Sequence, residues 1–517
     1  MKMKGWDINV TLHNQLIDYG QQLFEQKNYE KIADLGVSFA HIEMRQYTGY
    51  LSSIRLEELL LKTGTALFPF SNYKKKEAVP KKVLHIGTEF YNVGGHTRVA
   101  LDWIKNDLES HSEILLINQT REFNLETAAK IHYLREGSHL EKAEELRSFF
   151  TDNYFDVIVL HQHMEDVVPT LALWDIKEKT DSLVLFYNHA NFRFSLGNIV
   201  AHKRVNITEG DQHISKQFRY PMEDCVLPFV LGDALPEKSE KIIIKSKKEL
   251  NINDEIVFIS IGSAYKYTPY WDQNFFAEWN AFLLENKNCI LIVIGCVLKD
   301  FESFCPNVEK ASNLKLLGLV VNPSEYYQIG DYILDIYPMP TGLGMIQGTF
   351  WGLAPILPYA ENIIIIGDEM NKLYPKEVRK LLTYSDKESY FSFVENEIET
   401  RAYQLKANEI LKDHISNNLL SEPWRQQLYN IYDEEPVQVT AFDKNIDVLN
   451  MSKASQNWYE FTQSSSGNFG LIILTFRLNI PLTLKVLNFY MNLIMRHGRL
   501  SGTGLRVFVR YLLGRYN

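Results

Sequence analysis

The sequence predicts an α/β protein of two Rossmann-like domains in tandem, with a helical N-terminal extension and a helical C-terminal tail. Three observations predict it. From Val83 onward short apolar runs alternate with amphipathic stretches, the pattern of parallel strands buried on both faces and joined by crossover helices. The alternation halts in the charged stretch EKSEKIIIKSKKEL and restarts with IVFISIGS. A chain of 517 residues also exceeds what one hydrophobic core organises, so more than one domain is required.

Residues 1–80 read as a helical region. The pattern is helical from Leu12 to Thr63, and LIDYGQQLFEQKNYEKIADLG has the form of one helix-turn-helix unit. No second copy follows at that period, so a helical cap on the next domain is expected rather than a repeat array. Residues 81–231 read as the first Rossmann-like domain, with strands in VLHIG, EILLIN, FDVIVLH, LVLFYNH and RVNIT. Residues 232–440 read as the second, joined to the first near 232–250. Its strands lie in IVFISIGS, CILIVIGC, LKLLGLV, ILDIYP and APILPY, with a helix through NFFAEWNAFLLEN. Open sheets of this kind take ligands at the carboxyl ends of their strands.

Residues 441–517 form the tail. From Gly470 it holds no Asp or Glu but carries Arg477, Lys485, Arg496, Arg499, Arg506, Arg510 and Arg515. The run LIILTFRLNIPLTLKVLNFYMNLIM has the length of a membrane span, yet Arg477, Pro481 and Lys485 lie inside it. Each central cation costs about 2.5–3.5 kcal/mol on insertion, which disfavours a spanning helix. Two readings stand: an amphipathic segment that docks on an anionic membrane surface, making the protein peripheral, and helices that pack back onto the body.

A net charge of -10 argues against a nucleic-acid partner, which needs Lys and Arg in excess, and favours a sugar or peptide ligand. Cys225, Cys289, Cys296 and Cys305 form no CxxC pair, and MKMKGWDINV has no apolar run of a signal peptide, so a cytoplasmic location is expected.

Four segments carry chemistry. In TEFYNVGGHTRVALDWI, directly after the first strand, Gly94 and Gly95 allow a sharp turn and close approach to a ligand. His96 and Arg98 there project polar groups from the start of a helix whose N–H groups favour anions. In LFYNHANFRFSLG, Asn188 and His189 end a strand, and His161 and His163 end its neighbour in VIVLHQH, so several imidazoles converge on one rim. A near-neutral histidine suits proton abstraction from a hydroxyl, and His96 and His189 are the expected catalytic pair. Singly, each histidine is better explained by a structural hydrogen bond; acidic partners at metal-ligand spacing are missing, so no metal is expected. In SIGSAYKYTP, Lys266 follows a Gly-Ser turn, where a lysine can neutralise a diphosphate. In DYILDIYPMPTGLGMIQGTFWGLAPILPY, Gly342 and Gly344 place bare amides at a helix N-terminus, approached through Pro338 and Pro340.

In this order and spacing the four segments resemble the bacterial GT-B glycosyltransferases of cell-surface polysaccharide synthesis, over about residues 83–360. The resemblance implies a cleft between two domains and transfer of a sugar, of the hexosyltransferase type, from a nucleotide diphosphate donor, UDP-linked, to a glycan or polyprenyl-linked acceptor. It implies catalytic roles for His96 and His189, and donor contacts from Gly94, Gly95, Arg98, Asn188, Lys266, Gly342, Leu343, Gly344 and Gln347. Many members carry a glutamate for the ribose hydroxyls where Gln347 and Gly348 stand here. A neutral hydrogen bond is worth about 1 kcal/mol against about 1.5–3 for one to a charged group, which lowers the expected donor affinity. Lys266 and the glycine-loop amides would carry the developing charge, so neither a metal nor a cofactor is expected. The alternatives are a protein glycosyltransferase of the same architecture, a nucleotide-sugar epimerase, and a catalytically inactive transferase-like scaffold for a partner enzyme.

Overall fold

The computed structural model describes residues 5–436, except 46–47, 71, 77–80, 93, 121–126, 191–192, 270–272, 338 and 360–372. The basic tail at 441–517 lies outside the described residues. The described chain divides into two compact units: one takes residues up to Ile207, Asp211–Val226 and the stretch from Asn430, the other Leu227–Tyr429 with Thr208–Gly210.

The first unit opens with α1 (Gly5–Glu25), α2 (Tyr29–Arg45) and α3 (Ile54–Leu67). Ser53 starts α3 by accepting the Leu56 N–H, one of the four donors a helix start leaves open. Leu16, Ile32, Phe39, Leu56 and Leu60 from these helices join Leu84, Ile158 and Val184 from the sheet in one core. The helical cap is therefore part of the first unit. Two buried polar side chains tie it down. Glu57 on α3 accepts the Gly197 and Asn198 backbone N–H groups at 3.2 and 3.0 Å. Arg219 donates to the carbonyls of Leu51, Ala190 and Arg193 and to Ser195 Oγ. Glu57→Ala leaves buried donors without an acceptor at about 1–3 kcal/mol each. Its urea midpoint is expected to fall accordingly; an unchanged midpoint would show that the segment after residue 193 needs no anchor on the cap.

The sheet of this unit is seven-stranded and parallel: β1 (Lys82–Gly87), β2 (His111–Leu116), β3 (Lys130–Tyr133), β4 (Val157–His161), β5 (Leu183–Tyr187), β6 (Lys203–Asn206) and β7 (Glu223–Val226), in the order β3-β2-β1-β4-β5-β6-β7. Between them run α4 (Gly95–Asn106), α5 (His139–Asp152), α6 (Val168–Ala172), α7 (Ile176–Lys179) and α8 (Glu209–Phe218). β3 and β7 are the edges. Their sequences KIHY and EDCV are partly solvent-facing and lack an apolar run such as that of β4 or β5, so the sequence offers no signal for them.

The second unit has α9 (Glu240–Leu250), β8 (Ile256–Ile261), α10 (Phe275–Glu285), β9 (Cys289–Ile294), α11 (Leu298–Phe304), β10 (Leu314–Gly318), α12 (Ser324–Tyr327), β11 (Tyr332–Leu334), α13 (Leu343–Phe350), β12 (Ala354–Ile356), α14 (Lys376–Lys380), α15 (Lys387–Thr400), α16 (Ala402–Asn418) and α17 (Ser421–Asp433). Its sheet is parallel, in the order β10-β9-β8-β11-β12. The buried run of β9, CILIVI, is the signature of a strand covered on both faces. Gly295, just past β9 at φ +100, is held where a Cβ would come within 2.4 Å of the Gly262 carbonyl oxygen, so the exits of β8 and β9 close up as only glycine permits.

The boundaries differ from the expected ones. EKIIIKSKKEL, expected in the joining stretch, folds as α9 within the second unit, and the units divide at Val226 and Leu227. The second unit ends at Tyr429, within α17, whose last turn from Asn430 belongs to the first unit. In the first unit, Tyr432 accepts from Trp103 Nε1 and donates to Asp107, each at 2.9 Å, while Lys81 meets Asp433 at 3.0 Å.

Candidate functional site

In the first unit the strand order reverses between β1 and β4, the switch point at which a parallel sheet opens a crevice at its carboxyl edge. β1 ends at Gly87, paired in register with His161 at the end of β4, and β5 runs on to His189. α4 starts at the same rim. Gly94 caps it with no side-chain bond, and a Cβ on Gly95 would meet no atom of the described residues within 4 Å beyond its own chain neighbours and helix backbone, so packing among them does not account for that glycine.

Sequence-distant histidines meet here. The His96 and His189 rings stack at 4.1 Å, and His163 lies edge-on to His96 at 6.0 Å. Behind them His161 Nδ1 is 3.0 Å from His189 Nε2, and His161 Nε2 is 3.0 Å from His85 Nδ1. Burial pushes the His85 imidazole down to about 3 and that of His96 to about 4, the latter also opposed by His163 and Arg193. His161 and His189 are driven well below the ordinary range by burial and by their neighbouring imidazoles. All four are neutral at pH 7, able to accept a proton or to donate an N–H.

Two residues expected at this rim are placed differently. Asn188 is buried, and its amide nitrogen donates to Asn206 Oδ1 and Ser215 Oγ at 3.0 and 3.2 Å, so it builds the sheet interior instead of facing a ligand. Arg98 is on the exposed face of α4 with its Nε on Asp102 at 2.7 Å, one turn along the helix. The same loop contributes groups that its glycines overshadow. Tyr91 donates to Glu89 at 2.7 Å, and Thr88 Oγ1 accepts from the His163 N–H and donates to Asp166. His85 carried one available signal, a polar residue inside an otherwise apolar strand on the face it shares with Gly87.

The second unit repeats the arrangement at its own switch point, between β8 and β11. β8 exits through Gly262 and Ser263 into a 3-10 turn, Ala264–Tyr267, that carries Lys266. Half-buried, Lys266 donates through Nζ to the Pro340 carbonyl at 2.8 Å. β11 exits into Asp335, whose Oδ1 accepts the Ile336 and Thr341 N–H groups at 2.8 and 2.7 Å, and Thr341 Oγ1 donates to the Ile261 carbonyl. Burial lifts the Asp335 carboxyl to about 6, against those N–H groups and the pull of Lys266. Gly342 then caps α13. A Cβ on Gly344 would fall 2.7 Å from Ile261 Cγ2, so that glycine sets α13 tightly on β8, whereas one on Gly342 would meet nothing within 4 Å among the described residues outside its immediate neighbours. Leu343 and Gln347 are half-buried on α13, and the Gln347 side chain makes no hydrogen bond among the described residues. Past the ends of β9 and β10, Leu319 and Val321 are 75 % and 84 % exposed, with Val297 and Leu298 about half exposed. Strand periodicity does not distinguish such exposed apolar positions at a carboxyl edge from ordinary strand ends.

Among the described residues no group of three or more His, Cys, Asp or Glu side chains is disposed to hold a metal ion, and no helix is long and apolar enough to cross a membrane.

No protein-family model matches the chain, and no curated protein matches it in sequence. Solved structures do match in fold. Alr3699/HepE of Anabaena in complex with UDP and glucose superposes with a TM-score of 0.51 at 13% identity, covering 69% of this chain and 100% of that one. The same protein with UDP-glucose gives 0.51 at 13%, covering 68% and 98%. A glycosyltransferase from Rickettsia africae ESF-5 gives 0.51 at 12%, covering 68% and 98%. At these identities the likeness is one of fold: the chain has the two-domain GT-B architecture of glycosyltransferases, with a helical extension at its N-terminus.

Proposed function

We propose that the chain is a glycosyltransferase that moves a sugar from a nucleotide diphosphate donor to a hydroxyl acceptor. The observation that carries this is the second rim, where Lys266 and the uncapped N-terminus of α13 stand together at the β8/β11 switch point, a site for a diphosphate. Leu319 and Val321 offer the apolar surface that a nucleobase stacks on, and Gln347 offers an amide to the ribose hydroxyls. A UDP-linked donor is the first choice, since the HepE structures hold UDP with glucose and UDP-glucose.

The first rim serves the acceptor. A neutral imidazole of the His96–His189 pair takes the hydroxyl proton as the acceptor oxygen bonds to the anomeric carbon; the bond to the diphosphate breaks and its electrons stay with the leaving group. Lys266 and the amides of Leu343 and Gly344 stabilise that charge, which makes a metal-independent reaction the simplest form. The acceptor class we favour is a glycan or polyprenyl-linked sugar of surface polysaccharide synthesis, handled at the cytoplasmic membrane face if the basic tail binds anionic lipid. Gln347 in place of a carboxylate supports one other reading, an inactive scaffold for a partner enzyme.

A panel of nucleotide sugars screened by thermal shift and by donor hydrolysis separates the two. One donor is expected to stabilise the protein, by about 2.7 kcal/mol at a hundred times its Kd, and to be hydrolysed slowly. No stabilisation by any donor would leave the scaffold.

A further inference from the structure

We infer that His85 and His161 are positioning residues that fix the tautomer of His189, so that His189 presents Nδ1–H to the rim as a hydrogen-bond donor. For what that donor meets, the inference rests on the transferase reading.

The argument starts at the closed end of the row. His85 is wholly buried, and its Nε2 has no hydrogen-bond partner among the described residues. Its Nδ1 is 3.0 Å from His161 Nε2, and His161 Nδ1 is 3.0 Å from His189 Nε2. A neutral imidazole has one N–H and one lone pair, so two contacts in series admit two arrangements of hydrogens. In one, His189 Nε2–H donates to His161 Nδ1 and His161 Nε2–H donates to His85 Nδ1. His85 then keeps an N–H at Nε2 with nothing to receive it. In the other, His85 Nδ1–H donates to His161 Nε2, and His161 Nδ1–H donates to His189 Nε2. The unpartnered atom is now a lone pair.

Buried N–H groups without an acceptor are rarer in folded proteins than under-used acceptors, which selects the second arrangement. Trp103 packs against His85 at 5.8 Å and 79°, and an N–H aimed at its ring would recover only a second-order contact. The groups around the row keep it neutral. His96 and His163 face His189 from α4 and from the end of β4, Arg193 lies beside His96, and Tyr187 packs on His189 at 4.6 Å. Two carboxylates bear on this set among the described residues: Asp211, through Tyr187, and Asp166, which interacts with His163 and is held by Thr88.

The stacked pair is thereby divided into two roles. His189 holds a ligand oxygen through Nδ1–H, and His96, whose ring nitrogens make no hydrogen bond among the described residues, is the base that receives the hydroxyl proton.

The test is the tautomer itself, read by long-range proton–nitrogen correlation on the full chain with labelled histidine, His189 being assigned through His189→Asn. In the wild type, Nδ1 of His189 is expected to be protonated and Nε2 to carry the lone pair. His161→Leu removes the donor to Nε2, and His189 should become a tautomer mixture. His161→Asn, with a side-chain N–H near the place of Nδ1, should restore the wild-type signature. A wild-type His189 with its lone pair at Nδ1 would overturn the inference, as would an unchanged signature in His161→Leu. Should His161→Leu not fold, His85→Phe replaces it: loss of the donor to His161 should again release His189, and an unchanged signature overturns the inference. No nucleotide sugar enters this measurement. Failure of the transferase reading appears instead as absent donor binding with the tautomer intact.

Discussion

Lys266→Ala is expected to lower turnover of the nucleotide sugar by roughly 10²–10³-fold, the typical cost of removing one fixed group aimed at charge that develops in the transition state. Stability should change far less. Among the described residues Lys266 Nζ donates to the Pro340 carbonyl, and a hydrogen bond worth a net of about 1 kcal/mol moves the midpoint of a unit this size by only a few degrees. A second effect partly offsets the first. The Asp335 carboxyl, already lifted to about 6 by burial, is held down by Lys266, so removing the lysine lets it rise further and take up a proton near neutrality. The variant therefore loses a cation and part of its neighbouring anion, and a weakened ground-state complex can still form. The loss should then fall mainly on kcat, since an interaction made only as the diphosphate departs leaves KM nearly untouched. Steady-state kinetics on the donor found by thermal shift check this. A loss below threefold would make Lys266 a staple for the 335–341 loop and nothing more.

Most inner strands were legible from their apolar runs, as in β4, β5, β8 and β9, and Lys266, Gly342 and Gly344 were legible because a strand-to-turn-to-helix pattern puts them at a carboxyl edge whatever the strand order. The order itself was not legible. That β1 lies beside β4 while β2 and β3 extend the other way is decided by contacts far apart in sequence, and it is this order that brings His85, His96, His161 and His189 to one place. Asn188 shows the converse. A strand end predicts the rim, but its neighbour His189 faces the rim while Asn188 turns inward to Asn206 and Ser215, an alternation of faces that a one-residue shift reverses. The cap was legible as helices covering the next domain, but not the bonds that fasten it, because Glu57 and Arg219 act on backbone groups over a hundred residues away in the chain and no local pattern records such bonds.

His85→Phe is expected to reverse sign with pH, less stable than the wild type at neutrality and more stable in acid. At pH 7 the variant gives up the hydrogen bond to His161, about 1 kcal/mol, and fits a slightly larger ring beside Trp103. In acid the balance changes. The His85 imidazole has a folded value of about 3 against 6.5 in the unfolded chain, so below pH 6.5 the unfolded state binds a proton that the folded state refuses. A depressed folded value means that stability is fully present above 6.5 and is lost progressively as pH falls toward 3, by about 1.4 kcal/mol for each pH unit. Phenylalanine carries no such group, so the two stability curves should cross between pH 6 and 5 and separate by about 2 kcal/mol near pH 4, as the same slope requires once the lost hydrogen bond is subtracted. Groups whose folded values are raised, such as Glu57 at about 7, titrate in both proteins and cancel from the difference. Urea unfolding of the pair across pH 4 to 7.5 measures it. A difference that stays flat with pH would mean that His85 takes up its proton in the folded state, which a buried ring in contact with Trp103 and a second neutral imidazole should not do.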